Sequence, residues 1–249
     1  MLAPDDDPDD LAGFTSPMTR LLSSARTWLA LVVVVALIVP AGAFLADEFD
    51  FRRSADAVVA TLEGDRTGAE AAETVVLVRA VGCDGRASSG TAFVVDTGAG
   101  PALLTNRHVV ANARIVGVRA LDGSTRLRVT GVRTSSTADV AVLEVDDPAA
   151  LPPALALGTG TRAVGDAVRL IGFPAATPFT AAGRIAEVTG PRLLLEVEVA
   201  PGASGSPVVA DDGQVVGQVH AVTEAGLGVA TPAARLVAAI DDARPEPGC

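Results

Sequence analysis

From residue 74 to residue 232 the chain is a succession of short apolar runs, each closed by a turn signal. The runs are "TVVLVRA", "TAFVVD", "ALLTN", "RIVGVRA", "TRLRVTGV", "VAVLEV", "AVRLIGF", "RLLLEVEVA", "SPVVA", "QVVGQVHAV" and "LGVATP". Each is bounded by Gly, Pro, Asp or Ser-Thr clusters such as "DGS", "TGAG" and "DDG", which supply the backbone conformations that reverse a chain. More than ten strands of this length, without helices alternating between them, predict an all-β fold, either a sandwich or a pair of barrels. One helix is expected at the end, about 232–242 ("PAARLVAAIDD"), opening with a Pro in its first turn after Thr231. No repeat of solenoid or propeller period is present.

The N-terminal third is different. Residues 27–46, "TWLALVVVVALIVPAGAFLA", carry no charge. At about 1.5 Å per residue such a helix crosses a hydrocarbon core of ~30 Å, and a run with no polar face would otherwise need protein on every side. A single transmembrane anchor is expected here. Ala41-Gly42-Ala43 also offers a signal-peptidase site, so secretion after cleavage near Ala43 is the alternative. The leader with "DDDPDD" is unlike a short basic n-region and favours the anchor. Residues 1–26 read as an acidic disordered tail and 47–73 as a stalk. In the stalk Phe51, Val58, Val59 and Leu62 suit a short amphipathic helix that "EGDRTGAE" breaks. The globular domain then covers 74–242, with 243–249 as a C-terminal tail.

All 19 positive charges are Arg, and the net charge is −11. That balance argues against a nucleic-acid partner, whose phosphates would be repelled. With two His and two Cys, none in metal-ligand spacing, no metal or other cofactor is expected. Taken by themselves, Cys83 and Cys249 are compatible either with one disulfide in an exported domain or with two unrelated thiols.

Three segments carry chemistry. A serine nucleophile needs a base, and the base needs an orienting carboxylate. His108 lies in "LLTNRHVV", after an apolar strand and before a short helix-like stretch. Asp139 heads the strand in "TADVAVLEV", where a lone buried carboxylate would be costly. "PGASGSPVV" then packs small residues into a turn that runs straight into a strand. Taken singly, His108 reads as a structural histidine and Asp139 as a strand-initiating turn residue. The other histidine, His220, lies on a later strand.

Taken together, "SSGTAFVVD…LLTNRHVV", "ADVAVLEV" and "PGASGSPVV…GQVVGQVHAVTEAGLGVATP" resemble the chymotrypsin-fold serine proteases, in particular the bacterial trypsin-like kind that includes the HtrA proteases. The likeness spans about 74–242. It implies two six-stranded antiparallel barrels followed by the C-terminal helix, with a catalytic cleft between them and protein or peptide substrates. It implies Ser204 as nucleophile, His108 as general base and acid, Asp139 as the His-orienting carboxylate, and the N–H groups of Gly202 and Ser204 as the oxyanion hole. Gly205 keeps the turn tight, and Ser206 stays out of the reaction. The order His, Asp, Ser excludes an α/β-hydrolase, whose nucleophile comes first. A catalytically silent protease-like interaction domain is the alternative function.

Two departures from the family pattern stand out. Digestive members place an Asp before the nucleophile to capture a freed N-terminus, and here that residue is Ala203, so the oxyanion loop must be ordered in another way. HtrA proteins also continue into a PDZ domain, and the likeness here is to the type without one. In the barrel frame Cys83 follows the first strand and Cys249 lies just beyond the last helix, so a Cys83–Cys249 disulfide is expected. The substrate strand should include Val219, His220, Ala221 and Val222. Its Val and Ala residues suit a small-to-medium apolar P1 side chain. Glutamyl endopeptidases place a His in this strand, making acidic P1 the alternative, but His220 falls one residue later, and alternate strand residues face opposite ways. The expected product is a single-pass membrane protein with an extracytoplasmic serine endopeptidase domain.

Overall fold

The computed structural model describes residues 48, 50–59, 61, 66–121, 123 and 126–249. The chain divides into two units, 1–49 and 50–249. Of the first, only Glu48 is described, so the expected tail and the 27–46 anchor lie outside the described residues. No helix among the described residues is long and apolar enough to cross a membrane.

Residues 50–249 form two closed barrels. A helix at 50–59 (α1) and α2 (Arg66–Glu73) precede β1 (Val75–Gly82), β2 (Ala87–Asp96) and β3 (Pro101–Thr105). The short α3 (Arg107–Val110) leads to β4 (Ala113–Ala120), β5 (Arg126–Thr134) and β6 (Ala141–Val145). These strands run in the order β5-β4-β1-β2-β3-β6 and close through β5–β6 pairing. The second barrel is β7 (Ala167–Gly172), β8 (Phe179–Thr189), β9 (Arg192–Glu196), β10 (Pro207–Ala210), β11 (Val215–Val222) and β12 (Gly228–Pro232), closed in the order β10-β11-β12-β9-β8-β7. All registered strand pairs are antiparallel. The helix α4 (Ala233–Asp242) follows, with Pro232 as its N-cap residue rather than inside its first turn.

The unbroken apolar runs of the sequence have a direct cause. Strands between the barrels bury both faces, so the usual apolar/polar alternation disappears. In β2, Ala92 and Val94 enter the core of the first barrel, while Phe93 and Val95 join the core between the barrels. In β10, Val208 and Ala210 fill the second barrel and Val209 faces the first. The catalytic candidates sit at the edge of this shared core.

Both segments that the sequence reading set outside the domain are packed onto it. Phe51, Ala55 and Val58 of α1 are buried in the inter-barrel core with Ala71 and Ala72 of α2. The Phe51 ring stacks on Phe173, 6.0 Å between centroids, and the Arg119 guanidinium lies over the Phe51 ring, 3.6 Å from its centroid. At the far end, Arg244–Pro245 (β13) pairs with Thr134 and Arg133 of β5. Glu246 N–H donates to the Val132 carbonyl, and Cys249 is disulfide-bonded to Cys83 with 5.9 Å between Cα atoms. The chain end is thus stitched to the first barrel, beside the β1–β2 turn.

Candidate active site

His108 and Asp139 flank the same end of the antiparallel β3–β6 pair, where Thr105 is opposite Ala141. β3 ends at Thr105, and Asn106 caps α3, whose second residue is His108. Val109 and Val110 turn inward and hold the one-turn helix down, leaving His108 half exposed. On the other side, Ser135 builds the Asp139 loop. Its hydroxyl accepts from Thr137 N–H and Ala138 N–H, and its N–H donates to the Val140 carbonyl. Asp242, the last residue of α4, accepts from the Ser136 and Thr137 hydroxyls and ties the loop to the helix.

The two residues are joined twice. Asp139 Oδ2 lies 2.6 Å from His108 Nδ1, and Asp139 Oδ1 accepts the His108 backbone N–H at 3.0 Å. Beneath them, buried Asn106 donates from Nδ2 to the Asp139 carbonyl at 2.8 Å and to Gln218 Oε1 at 3.3 Å. Burial alone would raise the Asp139 carboxyl, but the two hydrogen bonds from His108 outweigh it and hold the group below the ordinary carboxylate range.

Ser204 sits in the turn before β10, partly buried. Its carbonyl accepts from Thr91 N–H of β2 at 2.8 Å, which anchors the turn across the cleft to the first barrel. Among the described residues no hydrogen bond involves the Ser204 hydroxyl, and catalytic hydrogen bonds of this type often tighten only with substrate bound. From residue 200 to 204 every carbonyl is satisfied: Ala200 by Ala203 N–H, Pro201 by Ala175 N–H, Gly202 by the Thr91 hydroxyl, Ala203 by Ser206 N–H and Ser204 by Thr91 N–H. The N–H groups of Gly202 and Ser204 have no partner among the described residues. Two unpaired donors in a turn whose acceptors are all occupied make a ready site for a developing negative charge.

The glycines here are required by space as well as conformation. Gly202 has φ +97°, and a Cβ on it would come within 2.7 Å of Ala175 N; Gly205 has φ +90°, and a Cβ there would overlap the Thr91 carbonyl. Ala203 is buried in the second barrel's core. Ser206 is fully buried, its Oγ against Gly172, so it is outside the site.

Val219, His220, Ala221 and Val222 all lie on β11. Val219 is buried in the second core; its N–H donates to the Ser206 carbonyl and its carbonyl accepts from Gly205 N–H. The register of β11 on β12 shifts between Val219 and Ala221, which makes His220 a bulge residue. Bulges re-aim side chains, and strict alternation therefore fails there. His220 Nδ1 lies 3.3 Å from the Thr231 hydroxyl. Burial lowers its pKa; the Asp139 charge opposes this, and the His108 charge acts in the same sense as burial. His220 is thus near enough to His108 and Asp139 to feel their charges. Ala221 and Val222 remain exposed beyond it. On the other side of His108, a cleft of about 430 Å³ opens against Cys83, Asp84, Arg86 and Asn112.

Sequence reasoning did not single out Thr91, Asn106 or Gln218. All three lie inside the motifs "SSGTAFVVD", "LLTNRHVV" and "GQVVGQVHAVTEAGLGVATP", yet Thr91 meets Gly202 and Asn106 meets Gln218 across more than 100 residues of chain. Among the described residues no cluster of His, Cys, Asp or Glu could hold a metal ion.

Residues 90–217 match the protein family described as Trypsin-like peptidase domain. The chain is 33% identical over 140 residues to a probable periplasmic serine endoprotease, DegP-like, from Hahella chejuensis, covering 52% of this chain and 29% of that protein. It is 32% identical over 146 residues to the serine protease Rv3671c of Mycobacterium tuberculosis, covering 52% and 35%. The chain thus spans about a third or less of the length of these relatives. Among solved structures, the inactive form of the Rv3671c protease superposes with a TM-score of 0.61 at 27% identity, covering 72% of this chain and 93% of that one. The serine endoprotease from Yersinia pestis gives 0.61 at 27%, covering 69% and 62%.

Proposed function

We propose that this chain, which belongs to the trypsin-like peptidase domain family, is a serine endopeptidase that cleaves peptide bonds through Ser204, His108 and Asp139. The observation that carries the reading is the doubly hydrogen-bonded His108–Asp139 pair, together with a Ser204 turn whose two unpartnered N–H groups are those of Gly202 and Ser204.

Asp139 keeps the proton of His108 on Nδ1, so Nε2 is the basic nitrogen. Nε2 takes the Ser204 hydroxyl proton as Oγ attacks the scissile carbonyl. The carbonyl oxygen becomes an oxyanion and accepts from Gly202 and Ser204 N–H, a stabilisation available only once charge develops. His108 then protonates the leaving amine, which departs on the side of the cleft by Arg86 and Asn112. Water, deprotonated by the same nitrogen, releases the acyl group and restores Ser204. Ala221 and Val222 line the acyl side and suit a small-to-medium apolar P1 residue. The contact of His220 with Thr231 supports keeping it out of that pocket, and an acidic P1 preference lost in His220→Ala would reverse this choice.

The setting we infer is extracytoplasmic, with 27–46 as a membrane anchor. The Cys83–Cys249 disulfide supports export, because such bonds persist in oxidising compartments. The decisive experiment treats the full chain with a fluorophosphonate probe and a casein substrate. Covalent labelling at Ser204 and casein cleavage, both abolished in Ser204→Ala, are expected. Normal folding with neither labelling nor cleavage would favour the silent interaction domain.

A further inference from the structure

Resting on that reading, the structure also answers how the oxyanion turn is ordered without an acid before the nucleophile. We infer that Thr91 is a positioning residue: its hydroxyl locks the 200–204 turn in the form that aims the Gly202 and Ser204 N–H groups at the oxyanion.

Thr91 is fully buried on β2 of the first barrel, and each of its polar atoms is engaged. Its N–H donates to the Ser204 carbonyl at 2.8 Å, and its carbonyl accepts the Thr105 hydroxyl at 2.7 Å. Its Oγ1 accepts Phe173 N–H at 3.0 Å and donates to the Gly202 carbonyl at 3.4 Å. One hydroxyl therefore joins two loops of the second barrel, the one after β7 and the one before β10, to a strand of the first.

The loop after β7 has its own role in the clamp. Two residues past Phe173, Ala175 N–H donates to the Pro201 carbonyl at 2.8 Å. A planar trans peptide points its C=O and N–H in opposite directions, so holding the Pro201 carbonyl on Ala175 fixes the direction of Gly202 N–H. Ala175 and Ala176 have φ of 50° and 63°. Such values are disfavoured for residues with a Cβ and persist only where the surroundings impose them. Phe173, held by Thr91 at its N–H and by the Phe51 stack at its ring, starts this strained turn. The clamp thus does the work that a freed N-terminus and a preceding Asp do elsewhere in the fold, and Ala203 is free to be a core residue.

The test compares the full chain with Thr91→Val and Thr91→Ser. Valine keeps the shape and removes the hydroxyl, leaving Phe173 N–H buried and unpaired; serine keeps the hydroxyl. Loss of one oxyanion donor lowers kcat by ~10²–10³, and a loosened donor should lose part of that. We expect kcat of Thr91→Val to fall by roughly 10- to 100-fold with KM little changed, and Thr91→Ser to recover most of it. Amide hydrogen exchange across 200–206 should accelerate in the valine variant and stay slow in the serine one. If valine does not fold, Thr91→Ala removes the same hydroxyl for the same exchange comparison. Unchanged exchange and kcat without the hydroxyl, or equal impairment in the serine variant, would overturn the clamp. The exchange readout needs no turnover. A wild type that neither labels nor cleaves would therefore count against the protease reading, while the exchange comparison still decides the clamp.

Discussion

Asp139 grips His108 at two points, carboxylate to ring at 2.6 Å and carboxylate to backbone N–H at 3.0 Å. The second bond fixes the distance between α3 and the Asp139 loop, and the first fixes the ring tautomer. Asp139→Asn keeps the size of the side chain, and its Oδ1 can still accept from the backbone. An amide at Oδ2 can donate to Nδ1, which would move the ring proton to Nε2 and remove the base. The expected outcome is a kcat loss near the ~10⁴ known for this lesion with an unchanged melting profile. A loss of less than tenfold would mean that Asp139 does not orient the base.

The Cys83–Cys249 bond closes a sequence separation of 166 residues. In the loop-entropy view a cross-link of that span restricts the unfolded chain by about 5 kcal/mol, an upper figure. Cys83→Ser should therefore shift the denaturant midpoint down clearly. Because β13 and Glu246 still tie the tail to β5, the loss acts mainly through the unfolded state. Equal midpoints for wild type and variant would contradict this.

Acid should weaken the domain in two steps. Burial lowers the pKa of His220 from its ordinary 6.5, with the Asp139 charge opposing. Unfolded, the ring takes its proton near 6.5, whereas folded it does so only at lower pH. Through that window the unfolded chain binds more protons, and stability falls as the pH falls. Asp139, lowered from 3.8, adds a second loss in the same direction as the pH drops from 3.8 through its folded value. Melting temperatures recorded from pH 8 to 3 should decline below 6.5, and His220→Gln should flatten the upper part of that decline only. A wild type with no slope between 6.5 and 5 would remove His220 from this account.

The strands legible in the sequence are those whose Val, Leu and Ile side chains pack on one of the three cores, fully as in β2 or partly as Leu127, Val129 and Val132 do in β5. β8 was not among the recognised runs. Its "FTAAGRIAEVT" buries only Ile185, so it carries no apolar signature and is held by backbone pairing with β7 and β9. His108, Asp139 and Ser204 were visible because the residues around them form local motifs. Thr91, Asn106 and Gln218 were not, since their meaning lies in contacts more than 100 residues away, such as Thr91 to Gly202 and Asn106 to Gln218. At His220 the β11–β12 register shifts, a bulge that no residue pattern announced.

Residues 50–59 show the same limit from another side. Phe51, Ala55 and Val58 have helical spacing, and the sequence justified an amphipathic helix there. What it did not reveal was the surface that helix meets. Phe51 lies parallel to Phe173, with 5° between the ring planes, so this segment buttresses the loop that feeds the Thr91 clamp. Phe51→Ala would remove the stacked ring and leave a cavity against the inter-barrel core, at a cost of about 3–5 kcal/mol for such a truncation. Because Phe173 would lose its lateral support, amide exchange at 173–176 should also rise. Phe51→Leu, which refills much of the volume, should restore most of the stability. Val59 is the control: it lies on the same helix but is 61% exposed, and Val59→Ala should change the midpoint little. If Phe51→Ala and Val59→Ala prove equally mild, α1 is a tether and the domain begins further along the chain.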